Sequence, residues 1–224
     1  LIVLFSLGAC LETNPANISA ILKPSALQET ASSKQILVLA RQKHFFSSRY
    51  YLFALEKTPE NYKLAFPAME AVIGEKGLAA PGQKKEGDGK TPSGVFPLRR
   101  AFGYEKSIKT KMSYRQVTDD DIWVDDPEAP DYNQWVKQNK TKALSFEKMK
   151  RNDDLYKYGI VIEYNTHPAV KGRGSAIFLH LWKSKNNPTA GCVAVAEQDL
   201  LKILSWLDPQ ADPVIVIGMT TEDP

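Results

Sequence analysis

A chain of 224 residues is long enough to build one self-sufficient hydrophobic core, so neither a disulfide nor a metal is needed to hold it. With 43% hydrophobic and 25% charged residues, and with prolines and glycines dispersed, it falls outside the disordered and low-complexity classes. A net charge of +3, carried by scattered basic pairs rather than a stripe, argues against a nucleic-acid partner.

Residues 1–10 form an apolar run too short to cross a bilayer of roughly 30 Å as a helix, and they resemble the end of a signal peptide. Leu7-Gly8-Ala9-Cys10 resembles a bacterial lipobox, which makes Cys10 the expected lipidation site; an ordinary secretory signal or a buried amino-terminal strand are the alternatives. The expected location is therefore the periplasm or cell envelope, with membrane contact only through that anchor. Residues 11–33, polar and rich in turn formers, read as a tether. The folded domain is expected over 34–218, with a tail at 219–224.

Within the domain the signals are mainly for strands. Residues 36–40 and 50–55 are short apolar and aromatic runs, and a third strand is expected over 66–73, ended by Gly74-Glu75-Lys76-Gly77. Residues 80–94, dense in Gly, Lys and Pro, form a long loop that feeds a strand at 95–98. The middle segment, 101–158, is less regular; its one expected helix spans 145–157, with Ser145 as its cap. Two β-branched runs at 159–164 and 175–180 read as neighbouring strands, the second ending at His180. Residues 196–207 carry Leu200, Leu201, Ile203, Leu204 and Leu207 near helical spacing, stopped by Asp208-Pro209, and 213–217 supplies a last strand. The fold class expected is mainly β with a few helices (α+β), and a monomer is expected.

The two cysteines sit in such different contexts that a disulfide between them is not expected. An exported protein keeps few free thiols, so Cys192 calls for a chemical reason. It lies in Pro188-Thr189-Ala190-Gly191-Cys192-Val193, where Gly191 permits a strained backbone and the amides beside the sulfur can face a developing oxyanion. His180 precedes it by 12 positions at the end of an expected strand. If the intervening loop folds back, an imidazolium beside the sulfur would lower its pKa and make it a competent acyl acceptor.

Gly89-Lys90-Thr91-Pro92-Ser93-Gly94-Val95-Phe96, His180 and Thr189-Ala190-Gly191-Cys192-Val193 together resemble the YkuD-type L,D-transpeptidase catalytic domain, over about residues 36–217. The resemblance implies a β-rich fold with Cys192 as nucleophile, His180 as base, Gly191 as the glycine before the nucleophile and Thr189 at the Ser/Thr position. It implies attack on the L-to-D peptide bond of a peptidoglycan tetrapeptide stem, release of the terminal D-residue, transfer of the acyl group to an amine, and acylation by carbapenems. Three features depart from the family pattern: Ala190 replaces a second His, Ala194 stands where many members have Arg, and the His-to-Cys spacing is short. Hydrolysis by a carboxypeptidase or endopeptidase, and a non-catalytic wall-binding lipoprotein, are the competing functions.

Thr189, Thr91 and Asn165 are the expected substrate-binding residues; Asn165 could instead orient His180 or be a plain turn residue. No cofactor and no metal is expected: His44 and His167 lack partners at ligand spacing and read as surface. Gly89-Lys90-Thr91 has Lys84 where a phosphate loop needs Gly. The run Asp119-Asp120-Asp121, with Asp125-Asp126, reads as solvated. Trp123, Tyr132, Trp135 and Tyr164 read equally as groove or core.

Overall fold

The computed structural model describes residues 22–44, 47–59 and 61–221. Cys10 and its lipobox-like neighbours lie outside these residues. The described chain is mainly β, as expected. Its strands are β1 (Gln35–His44), β2 (Ser47–Lys57), β3 (Tyr62–Leu64), β4 (Met69–Val72), β5 (Leu78–Ala79), β6 (Thr91–Pro92), β7 (Gly94–Gly103) and β8 (Ser113–Gln116). They continue as β9 (Asp121–Val124), β10 (Trp135–Lys137), β11 (Phe146–Lys148), β12 (Tyr158–Ile162), β13 (Phe178–Leu181), β14 (Val193–Val195) and β15 (Val214–Ile217), with helices α1 (Pro24–Glu29) and α2 (Glu197–Trp206).

The main sheet runs β1-β15-β7-β12-β13-β14-β4-β2, and β1 pairs with β2, so the sheet closes on itself. Strand alternation then sorts side chains inward and outward. Leu37, Leu39, Leu52, Leu179, Leu181, Val193, Val195 and Ile215 point into one cluster, which α2 completes with Leu200, Ile203 and Leu204. Glu197 and Asp199 lie in the first turn of α2, where carboxylates suit the positive end of the helix dipole.

Two outward faces are also covered. One, made by Ile36, Val38, Phe53, Leu55, Val214 and Val216, is closed by Leu22, Ala26 and Leu27 of the α1 segment. Packed structure thus starts before Lys34: Leu22 bridges to Thr220, and Lys34 N–H donates to Ala211 O at 2.7 Å. The second half of the expected tether and the start of the expected tail are part of the domain, because the apolar face of β1 needs a cover.

The other outward face carries Phe102, Val161, Phe178 and Cys192, and is roofed by Val117, Trp123, Met149 and Tyr156 from the middle segment. That roof contains a three-stranded sheet, β10-β9-β11. The helix expected over 145–157 is absent: Phe146 to Lys148 pair with β9, and Met149 is buried beneath them. The spacing of Glu147 and Arg151 suits a helix, but Arg151-Asn152-Asp153-Asp154 is turn chemistry, and Arg151 is folded back on Asp153 at 2.7 Å. The third expected strand is also shorter, beginning at Met69 beyond Pro67. Asp121 is not solvated; it is 1% exposed and accepts from Arg115, Trp135 Nε1 at 2.9 Å and Thr118 N at 2.8 Å. Trp123 and Tyr132 are core residues, at 1% and 3% exposure.

Candidate active site

β13 and β14 are parallel neighbours, with His180 in register with Ala194. Their inward residues alternate with Phe178, His180, Cys192 and Ala194, which share the outer face. Cys192, two residues before Ala194, comes beside Phe178, whose amide donates to its sulfur at 3.4 Å. His180 and Cys192 are therefore diagonal neighbours on one face. The sulfur's hydrogen bonds in this structure are to the backbone: besides Phe178 N, it donates to Ala176 O at 3.3 Å.

Both groups border one cavity of about 470 Å³ beneath the roof. Its other walls include Lys84, Glu86 and Gly87 from the loop before β6, Glu147, Arg151 and Tyr156 from the roof, and Thr189 to Gly191 from the return loop. Its charged walls balance, with Lys84, Arg151 and Lys183 against Glu86, Asp125 and Glu147.

The imidazole is fixed by its backbone. Nδ1 lies 2.8 Å from Leu181 O, so it carries the proton and leaves Nε2 as the acceptor nitrogen. Tyr156 packs edge-on against the ring, centroids 5.1 Å apart. Burial, helped by the nearby Arg151 charge, pushes the His180 pKa down to about 4. Burial pushes the Cys192 thiol up to about 12, and the Glu147 carboxylate adds to that shift; the Phe178 amide, Lys84 and Tyr156 oppose it. Both shifts run against the expectation of an imidazolium that lowers the thiol pKa, because burial under the roof disfavours the charged form of each group.

The turn carrying Cys192 is held by two threonines. Thr91 Oγ1 accepts from Gly74 N at 2.9 Å and donates to Cys192 O at 3.3 Å. Thr189 Oγ1 donates to the same carbonyl at 2.7 Å and accepts from Gly191 N at 3.1 Å. Gly191 has φ +156°, and a Cβ there would lie 2.9 Å from Lys90 O, so only glycine passes between the loop and the sulfur.

Of the residues expected from sequence, Cys192, His180, Gly191 and Thr189 meet around the cavity. Thr91 does not line it; it is fully buried and positions the Cys192 carbonyl instead. Asn165 is elsewhere, binding Val170 N at 2.8 Å and Gly174 O at 2.8 Å across its own loop, with φ 53°. It neither orients His180 nor faces the cavity, and His167 in the same loop is exposed. Tyr156, Glu147 and Arg151 were missed because the segment read as a helix, which would put Tyr156 and Glu147, nine residues apart, on opposite faces.

The YkuD family model, an L,D-transpeptidase catalytic domain, matches residues 47–216. The chain belongs to this family. No curated protein and no solved structure matches it. The YkuD match spans the strands that carry both cavity groups as well as the Gly89–Lys90–Thr91 support behind them. YkuD domains act on peptidoglycan stem peptides.

Proposed function

We propose that this chain is a cysteine acyltransferase of the cell wall, an L,D-transpeptidase in which Cys192 is the nucleophile and His180 the general base. The observation that carries the reading is the placement of a thiol and an Nε2-accepting imidazole on one sheet face, bordering one cavity, within a YkuD domain. His180 takes the thiol proton directly or through one water as the sulfur adds to the carbonyl of the L-to-D bond of a tetrapeptide stem. The C–N bond breaks, and the imidazolium gives its proton to the departing amine of the terminal D-residue. An acceptor amine then attacks the thioester, and the proton it loses passes through His180 back to the sulfur. With the Gly191 amide engaged by Thr189, the amide of Cys192 itself is the donor assigned to the oxyanion.

Under the same reading the protein is exported, and Cys10 anchors it by lipid. Membrane fractionation with lipid mass measurement, on the chain with its signal sequence and on its Cys10→Ser variant, tests this; unmodified soluble wild type would sink it.

Catalysis is tested with defined tetrapeptide muropeptides and an amine acceptor, read by product mass. Cross-linked product is expected from wild type, and none from Cys192→Ala, which should unfold at a denaturant concentration close to wild type because a small buried side chain is replaced by a smaller one. Tripeptide alone would identify a hydrolase; undiminished cross-linking by Cys192→Ala would refute the nucleophile.

A further inference from the structure

The roof holds a buried hydroxyl on a carboxylate within the cluster and cavity that contain the sulfur. Tyr156 is 3% exposed, yet its hydroxyl donates to Glu147 Oε1 at 3.0 Å. The same carboxylate oxygen accepts from Arg151 Nη1 at 2.7 Å, and the other edge of that guanidinium is taken by Asp153 at 2.9 and 2.7 Å. The Tyr156 ring lies edge-on to His180 at 5.1 Å and to Phe178 at 5.5 Å, in the apolar cluster that contains Cys192. Glu147, Arg151, Tyr156, His180 and Cys192 all border the same cavity. Packing alone would be served as well by phenylalanine, and a carboxylate beside a nucleophilic thiol disfavours its ionisation unless something intervenes.

We propose that Tyr156 is a positioning residue for the sulfur: its hydroxyl donates to Glu147 while Cys192 is a thiol and turns to the thiolate once the proton has left. The inference rests on the reading of Cys192 as nucleophile. The step balances without a further reactant. The S–H proton goes to His180 Nε2, the Tyr156 O–H bond is kept and only rotates, and Glu147 stays ionised on Arg151. Hydrogen bonding from Tyr156 favours the thiolate, the Glu147 charge disfavours it, and Lys84 is the other charged group that favours it. Two neighbours on one roof therefore act on the sulfur with opposite sign.

The test is the rate of iodoacetamide alkylation of Cys192 between pH 7 and 10 in the full chain, read by mass on the Cys192 peptide so that Cys10 does not contribute. Tyr156→Phe keeps the ring and should slow alkylation at each pH by tenfold or more. Glu147→Gln, at a side chain 28% exposed, should speed it at each pH. Loosened packing would expose the sulfur and speed both variants, so the opposite signs are diagnostic. A Tyr156→Phe profile that coincides with wild type, or two variants that move the same way, would overturn the inference. Alkylation needs no peptidoglycan, so its outcome is separate from the muropeptide assay: cross-linking by wild type with an unmoved Tyr156→Phe profile would remove the role of Tyr156 and leave the proposed function standing.

Discussion

Burial disfavours the charged forms of both the Cys192 thiol and the His180 imidazole, so it works against a standing ion pair between them. The same burial makes His180 a liability in acid. Its folded pKa, about 4, lies below the ordinary value of 6.5, so the unfolded chain binds the extra proton first and stability falls as pH drops from 6.5 towards 4. A shift of that size is worth roughly 3 kcal/mol. Urea unfolding of wild type and His180→Gln at pH 7 and pH 4 should show wild type losing about 3 kcal/mol more than the variant over that interval. Equal losses would mean that the imidazole is solvated. At this scale the chemistry was legible and the electrostatics were not. Cys192, Gly191 and His180 stand out as residue types in a recognisable order, whereas the height of the thiol pKa depends on a roof built from residues 117–156, whose contacts are non-local.

The elements that hold the sulfur come from three parts of the chain. The short bridge between Gly74 and Thr189, the Thr91 hydroxyl and the Lys90 carbonyl behind Gly191 converge on one turn. Thr91 was expected from the sequence to bind substrate, but the turn-rich composition of its loop cannot say which side chain faces substrate and which faces the turn behind it. Thr91→Val is nearly isosteric and would leave the buried Gly74 N–H without an acceptor, at a cost of about 1–3 kcal/mol. It should lower the urea midpoint and slow turnover, and Thr91→Ser should restore most of both. A Thr91→Val protein as stable as wild type, with turnover lost, would return Thr91 to a substrate-binding role. The expected helix at 145–157 failed for a related reason: its side-chain spacing fits a helix, but Phe146 to Lys148 gain ladder hydrogen bonds from β9, which only the assembled roof provides.

The whole molecule is a closed sheet with apolar residues on both sides of its strands, and each outward apolar face needs its own cover. Local runs such as 36–40 marked a strand, since Ile36, Leu37, Val38 and Leu39 are apolar in succession, and the structure buries it on both faces. The runs could not show what buries this strand, because β1 pairs with β15 across almost the entire chain and its outer face is met by residues that precede it. Over the site the cover is the roof; over β1 and β15 it is α1. Leu22 and Ala26 are 3% and 0% exposed against Ile36, Val38 and Val216, and Thr30 Oγ1 donates to Ala26 O at 2.9 Å to close the helix. Burial of aliphatic side chains is worth about 1.5–3 kcal/mol each for the larger ones. Compared with a chain that begins at Leu22, a chain that begins at Lys34 should therefore be destabilised by several kcal/mol and expose the apolar face of β1 and β15. Thermal melts together with binding of a hydrophobic dye read both effects. The two shortened chains melting together, without added dye binding, would mean that residues 22–33 act as a tether after all. Because this face is opposite the inner core and separate from the cavity, the chain beginning at Lys34 should still alkylate Cys192 at the wild-type rate at temperatures below its melt.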